Sequence, residues 1–277
     1  MAAVVHHALL GAAVAALFGA GSRVAARATA VPLERAVSAV VLAAAAAVTQ
    51  ALALGLVGLG TDPIALGLAA GATWVLARWR LPEPPGRGLS TAALERWREL
   101  GPAERAALGA AAGALGAWGV WALHRPAIGL DGVVYHLTEI VGWVHSGRPG
   151  EIQRITYEYP VGNYPVTNEV LLAWATGLAR SFVPGALSTL AALGLALTAG
   201  WMGLRALGVA RVAAALALAA VVTLPLTVQQ LGGPNTDLPA LAWLVTAGAL
   251  CACAARRPAL LAVALVAAAL AVGTKTT

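Results

Sequence analysis

The sequence predicts an all-α fold, a polytopic transmembrane helical bundle of about eight spans with a long extracytoplasmic loop. Three observations predict it. Of the 277 residues, 60% are hydrophobic and 11% are charged, whereas soluble domains are about half apolar and a quarter charged. The apolar residues form runs close to the roughly 20 residues that a helix needs to cross a bilayer, and most basic residues fall in the gaps between runs. A soluble domain, a disordered chain and, with two cysteines, a disulfide scaffold are excluded.

The apolar runs predict eight spans in three parts of the chain. Residues 1–80 form a group of three leading helices, residues 81–105 form a cytoplasmic linker with an interfacial helix, and residues 106–277 form the main core. The linker is rich in proline and glycine before a short helix with alternating charges. The predicted spans are 3–21, 36–59, 63–79, 106–123, 185–204, 212–228, 239–254 and 258–273.

The arginines predict the orientation of these helices. If the N-terminus lies outside, thirteen of the eighteen basic residues fall on the cytoplasmic side, as the positive-inside rule requires. The opposite orientation inverts this bias. The chain is therefore expected to be a multi-pass protein of the plasma (inner) membrane. Its net charge of +6 does not indicate nucleic-acid binding, because the basic residues form no stripe on a soluble face.

The loop 124–184 concentrates the polar chemistry of the chain, with five of its twelve acidic residues and all four tyrosines. At about 100° per residue, Asp131, Tyr135 and Glu139 fall on one polar stripe of a helix that is expected to lie on the membrane surface. A second amphipathic surface helix is predicted from Asn163 to Phe182.

Two carboxylates are candidates for catalysis. Asp131 follows the fourth predicted span and Asp237 lies in a later polar turn, and the predicted topology puts both on the outer side. Such a pair suits a general base and an electrostatic or metal anchor. Each residue by itself is also consistent with a structural role, Asp131 as an N-terminal helix cap and Asp237 as a cap in the Asn-Thr-Asp turn. His136 is either a general base or metal ligand, or an interfacial hydrogen-bonding residue.

The order of these motifs resembles the GT-C glycosyltransferases. It runs from Asp131-Gly-Val-Val-Tyr-His-Leu137 through Tyr159-Pro and Tyr164-Pro to Asn168-Glu169, and ends with Asn235-Thr-Asp-Leu238 and Gly273-Thr-Lys275. Within that superfamily, the aminoarabinose transferase of lipid A and the bacterial members grouped with protein O-mannosyltransferases are the most similar. The resemblance covers roughly residues 106–277. It identifies the chain as an N-terminal portion or a truncated member, because family members continue through further spans.

The resemblance implies transfer of a sugar from a polyprenyl-phosphate carrier to a lipid, glycan or protein acceptor on the outer face. Asp131 would then be the general base or would orient the acceptor, Asp237 would assist it, and Lys275 would hold the carrier phosphate. Gly132 stands where many members have a second acidic residue, so the need for a divalent metal is left open and no other cofactor is expected. The residues expected to bind substrate are Tyr135, His136, Glu139, Tyr164, Asn168, Glu169, Asn235 and Lys275.

Two other functions remain open at the level of sequence. A transporter or flippase-like subunit would place polar or broken helices at the middle of the membrane, and the predicted spans carry no charge there. A scaffold subunit would tolerate replacement of the loop carboxylates. Both are non-enzymatic alternatives to the transferase.

Overall fold

The computed structural model describes residues 2–83, 89–152 and 165–275, and within these ranges every regular element is helical. The all-α prediction is therefore confirmed for the described residues. The helices are α1 Ala2–Ala25, α2 Pro32–Gly55, α3 Pro63–Arg80, α4 Leu89–Glu99, α5 Pro102–His124, a π-helical turn Gly132–His136, α6 Leu137–Ser146, α7 Thr167–Ala179, α8 Val183–Ala206, α9 Arg211–Thr223, α10 Pro225–Gln230, α11 Asp237–Ala254 and α12 Leu260–Thr274.

Five helices in the described part of the chain are long and apolar enough to cross a membrane: α1, α2, α5, α8 and α11. The prediction of eight spans is not confirmed. α3 has 18 residues, but its last turn carries Arg78 and Arg80, which lower its mean hydropathy. α12 has 15 residues and is about 22 Å long, shorter than the roughly 30 Å of a bilayer core.

The predicted span 212–228 is wrong as a continuous helix. α9 ends at Thr223 and α10 begins at Pro225, with Leu224 extended between them at φ −61° and ψ 130°. Proline causes the break, because it lacks an N–H group and its ring disfavours a helical conformation at the preceding residue. The apolar pattern continues through the break, so hydropathy alone did not reveal it.

Two large apolar cores hold most of the described helices together. One joins α2, α8, α11 and α12, and the other joins α1, α2 and α3 to α6 and α7. α2 contributes to both cores. Small residues allow close helix contacts, and a Cβ atom on Gly203 of α8 would lie 2.9 Å from the Ala249 Cα atom of α11, so this pair packs backbone to backbone.

α7 is not the surface helix that the sequence predicted. Nine of its thirteen residues are buried, and it packs against α1, α2, α3, α6, α8 and α12. At about 20 Å it is also too short to span the membrane. Its C-terminal part lies against the α2–α3 loop, where a Cβ atom on Gly177 would be 2.6 Å from the Thr61 carbonyl oxygen. Residues 163 and 164 of the predicted helix lie outside the described residues.

The two ends of the bundle differ in chemistry. At one end, which we call the arginine end, Glu34 accepts hydrogen bonds from Thr29 and Arg257, both at 2.6 Å. This contact ties the α1–α2 loop and the first turn of α2 to the α11–α12 loop, and the predicted topology puts these segments on the cytoplasmic side. Asp237 begins α11 and Lys275 follows α12, so both lie at the opposite end.

Candidate functional site

Four segments of the chain meet at the end of the bundle opposite the arginine end. They are the stretch from α5 to α6, the start of α7, the turn between α10 and α11, and the end of α12. Together they bring seven polar residues into one region, which we call the polar cluster. Its members are Asp131, Tyr135, His136, Glu169, Gln230, Asp237 and Lys275.

Glycines in the α10–α11 turn allow two of these segments to approach. The Ala127 N–H donates to the Gly232 carbonyl oxygen at 2.9 Å, and the Gly232 N–H donates to Thr189 Oγ1 at 2.9 Å. Gly232 has φ +92°, a conformation that residues with a side chain rarely adopt. A Cβ atom on Gly233 would clash with the Ala127 carbonyl oxygen. The turn can therefore hold the stretch before Asp131 against the start of α11.

The π-helical turn sets the positions of Asp131 and Tyr135. The Leu137 N–H donates to the Gly132 carbonyl oxygen, five residues back, and such turns are frequent at functional sites. Asp131 makes no capping hydrogen bond. Its carboxylate instead accepts a hydrogen bond from the Tyr135 hydroxyl, so the capping role that the sequence left open is absent.

The predicted exposed stripe of Asp131, Tyr135 and Glu139 is wrong. Asp131 is exposed and Tyr135 is half-buried, but Glu139 is 1% exposed. The prediction assumed 100° per residue, and the five-residue spacing of the π-helical turn interrupts that progression. Glu139 therefore lies in the protein interior and is not presented to a ligand on the surface.

His136 and Glu169 form a buried pair that joins the π-helical turn to α7. His136 Nδ1 lies 2.5 Å from Glu169 Oε1, and the two residues are 5% and 0% exposed. A histidine that donates from Nδ1 has its tautomer and ring orientation set by the acceptor. The rings of Tyr135 and His136 are also in contact, with centroids 4.3 Å apart. The pair therefore fixes the turn that carries Tyr135.

Asp237 is held by two side chains. Lys275 Nζ forms an ion pair with Oδ1, and Gln230 Nε2 donates to Oδ2 at 3.0 Å. A cap or turn role, the alternative that the sequence left open for Asp237, would need backbone N–H donors, and both oxygens are occupied by side-chain donors instead. Asn235 supports the same turn, because its Nδ2 donates to the Gln230 carbonyl oxygen at 3.1 Å.

Negative charge from three segments acts on Tyr135. Burial, the hydrogen bond to Asp131 and the charges of Asp131, Asp237 and Glu169 raise the pKa of this phenol to about 12. Burial disfavours the charged phenolate, the hydrogen bond stabilises the protonated phenol that donates it, and the carboxylate charges repel the phenolate. Asp131 and Asp237, far apart in sequence, therefore lie near the same hydroxyl group.

This raised pKa predicts a separate titration step. In the folded protein Tyr135 should lose its proton near pH 12, about two pH units above an ordinary tyrosine. Because the pKa of Tyr135 is higher in the folded state than in the unfolded state, the protonated phenol stabilises the fold. This contribution to the free energy of unfolding is fully present below about pH 10 and is lost as the pH rises through 12. The difference between the phenolate absorbance of the wild type and of Tyr135→Phe isolates this group. A midpoint near pH 10 would show that the contact with Asp131 does not form.

The described residues do not fit a bound divalent metal. Among the described residues, no three histidine, cysteine or acidic side chains are placed to hold a metal ion. Both Asp237 oxygens are engaged by Lys275 and Gln230, and an ammonium group next to a carboxylate opposes a second cation. The residues of the polar cluster are therefore assigned roles only through their own side chains.

Sequence reasoning located most of the cluster and missed one member. It named Asp131, Asp237 and Lys275 as well as the Tyr135, His136 and Glu169 side chains, which the fold brings together. Asn168 faces an apolar cavity instead, and Tyr164 lies outside the described residues. The missed member is Gln230. The sequence feature that could have identified it is an amide side chain at the end of an apolar run.

The comparisons with known proteins give no relative from which a function could be transferred: no protein-family model, no curated protein and no solved structure matches this chain.

Proposed function

We propose that this chain is an integral membrane glycosyltransferase of the GT-C type. It transfers a sugar from a polyprenyl-phosphate-linked donor to an acceptor hydroxyl on the extracytoplasmic face. The observation that carries the proposal is the approach of two segments, the stretch before Asp131 and the turn before Asp237, which are joined by the hydrogen bond from the Ala127 N–H to the Gly232 carbonyl oxygen. The charges of both carboxylates act on Tyr135, at the end of the bundle opposite the part-buried Glu34–Arg257 pair. The five apolar helices that could span a membrane agree with a lipid-linked donor.

The cluster offers one group for each part of the transfer. The acceptor oxygen attacks the anomeric carbon of the sugar, and the bond from that carbon to the phosphate oxygen breaks. Asp131 takes the proton of the acceptor hydroxyl as general base. The bonding electrons leave with the polyprenyl phosphate, whose charge is stabilised by the Lys275 ammonium group.

The other members of the cluster position these two groups. Tyr135 donates to Asp131 and limits the orientations of its carboxylate. Asp237 holds the Lys275 ammonium group, and Gln230 holds Asp237. A transfer site needs the base and the cation fixed in relation to the reacting atoms, and this chain of contacts provides that.

The proposal is tested by mass spectrometry of envelope glycans and glycolipids. The native host lacking the gene is complemented with the complete reading frame as wild type, as Asp131→Asn or as Asp62→Asn, at equal membrane levels. Asp62 caps α3 through hydrogen bonds to the Ile64 and Ala65 N–H groups, and asparagine caps helices equally well. We expect a sugar to be missing with Asp131→Asn and present with the other two proteins.

The mass of the missing sugar would also identify the donor. If all three complemented strains have envelopes identical to that of the parent, Asp131 is not the base. If the deletion strain also matches the parent, the transferase function itself is contradicted, and a transport or scaffold role replaces it.

A further inference from the structure

An apolar cavity of about 470 Å³ lies between α1, α2, α7, α8 and α11. Its walls include Phe18, Leu171 and Trp243, and its polar side chains are Asn168 and Ser188. Ser188 Oγ donates to the Gly185 carbonyl oxygen at 2.8 Å, so its one O–H donor is used within its own helix. The cavity therefore offers apolar surface and one remaining polar group that can donate.

That polar group is the amide of Asn168. The residue is 4% exposed, and its Nδ2 is buried with no hydrogen-bond partner among the residues that the structure describes. Buried amide groups are nearly always paired, because desolvation without a hydrogen bond is costly. An N–H donor at the wall of an apolar cavity indicates a ligand that is mostly hydrocarbon and carries an oxygen acceptor at this point.

The cavity has the depth of one membrane leaflet. Along α8 its walls run from Val183 to Leu195, which is about 18 Å of helix, and half of a bilayer core is about 15 Å. Val183 is at the start of α8 and Pro239 is near the start of α11. The cavity therefore extends along the half of each of these two helices that is nearer the polar cluster.

The cavity adjoins the polar cluster through consecutive residues of α7. Asn168 lines the cavity, whereas Glu169 bonds to His136 in the cluster, because successive side chains on a helix diverge by about 100°. Lys275 follows α12, whose Gly273 lies against Thr167. A ligand with its chain in the cavity would thus have its polar end beside the cation of the cluster.

We infer that the cavity binds the hydrocarbon chain of the polyprenyl-phosphate donor, with an oxygen next to the chain accepting a hydrogen bond from Asn168 Nδ2. This inference rests on the proposed function and deepens it. It gives α1 and α2, which lie outside the resemblance to the glycosyltransferases, a part in substrate binding. A single chain with a phosphate end suits a cavity with apolar walls that adjoins a cluster containing one lysine.

The test measures lipid binding without sugar transfer. The full-length chain, purified in nanodiscs, is irradiated with a polyprenyl phosphate that carries a photoreactive group on its chain, and labelled residues are mapped by mass spectrometry. Labels should fall on α2, α7 and α8, and unlabelled polyprenyl phosphate should compete whereas phosphatidylglycerol should not. Equal competition by phosphatidylglycerol would overturn the inference, because the cavity would then take bulk lipid.

Matched variants separate the cavity from the rest of the surface. Ala43→Phe and Ala191→Phe add a ring at positions that line the cavity, and both should weaken labelling about tenfold. Ala53→Phe adds the same ring at an exposed position of α2 outside the cavity and should change nothing. Ala191 is exposed and outside the helix cores, so this variant should fold even if Ala43→Phe does not. Unchanged labelling of a folded cavity variant would overturn the inference.

Asn168→Leu tests the hydrogen bond itself. It should weaken binding about fivefold, the loss of one hydrogen bond, without lowering the unfolding temperature, since it removes an unpaired buried amide. Unchanged labelling would overturn the role of Asn168. Specific labelling combined with an unaltered envelope in the deletion strain would instead contradict the proposed transferase function and leave the lipid site in place.

Discussion

Glu169→Ala is expected to destabilise the folded protein by about 1–3 kcal/mol, the typical cost of leaving the partner of a buried hydrogen bond unsatisfied. The carboxylate is fully buried and His136 Nδ1 lies 2.5 Å from it. Alanine removes the acceptor of the histidine and leaves a space inside the N-terminal turn of α7. Equilibrium unfolding followed by circular dichroism in one detergent measures this loss.

Two further variants show whether the effect comes from the buried pair. Glu169→Gln keeps an oxygen acceptor for His136 and should lower the free energy of unfolding less than Glu169→Ala does. Glu151→Ala removes a carboxylate with a half-exposed side chain, whose ion pair with Arg148 spans 3.9 Å, and should cost about 0–1 kcal/mol. A similarly small loss for Glu169→Ala would mean that the contact with His136 does not support the fold.

Lys275→Gln is expected to lower the rate of sugar transfer about 10²–10³-fold, the usual cost of losing one group that stabilises developing charge. Glutamine keeps a polar side chain of similar reach and removes the cation that would stabilise the leaving phosphate. Because that charge develops in the transition state, kcat should fall more than KM rises. Initial rates with a defined lipid-linked donor measure the effect.

Arg148→Gln is the matched control for this cation. Arg148 belongs to the predicted outer loop 124–184, and its side chain is 56% exposed and pairs with Glu151. Its replacement should leave the rate within about twofold of the wild type, since exposed ion pairs contribute little. A rate for Lys275→Gln as high as that of Arg148→Gln would show that the pair with Asp237 is structural and that Lys275 does not act on the phosphate.

The hydropathy pattern was sufficient to predict the class of fold, but it was not sufficient to predict the residues at which the helices begin and end. Long apolar runs predicted α1, α2, α5, α8 and α11, because crossing a membrane requires a minimum length of apolar helix. The same pattern continued through Pro225, where the backbone breaks. A sliding average weighs side-chain polarity and is insensitive to the missing N–H group of one proline.

The burial of Glu139 and of α7 also depended on tertiary packing. Both segments are amphipathic enough to lie on a surface, and periodicity alone cannot distinguish an interface with lipid headgroups from an interface with other helices. Because of the π-helical turn, the Glu139 side chain is buried in the protein. Contacts with helices distant in sequence bury α7. Neither effect has a local signal in the chain.

The sequence by itself determined that the protein is an apolar helical bundle whose polar residues gather in a few short segments, because composition and periodicity act within each segment. It also marked Asp131, Asp237 and Lys275 as chemically notable. Tertiary structure decided that Asp131 and Asp237 approach the same tyrosine, that His136 pairs with Glu169, and that Asn168 lines a cavity. Those outcomes depend on contacts between residues far apart in sequence, which only the packed helices bring together.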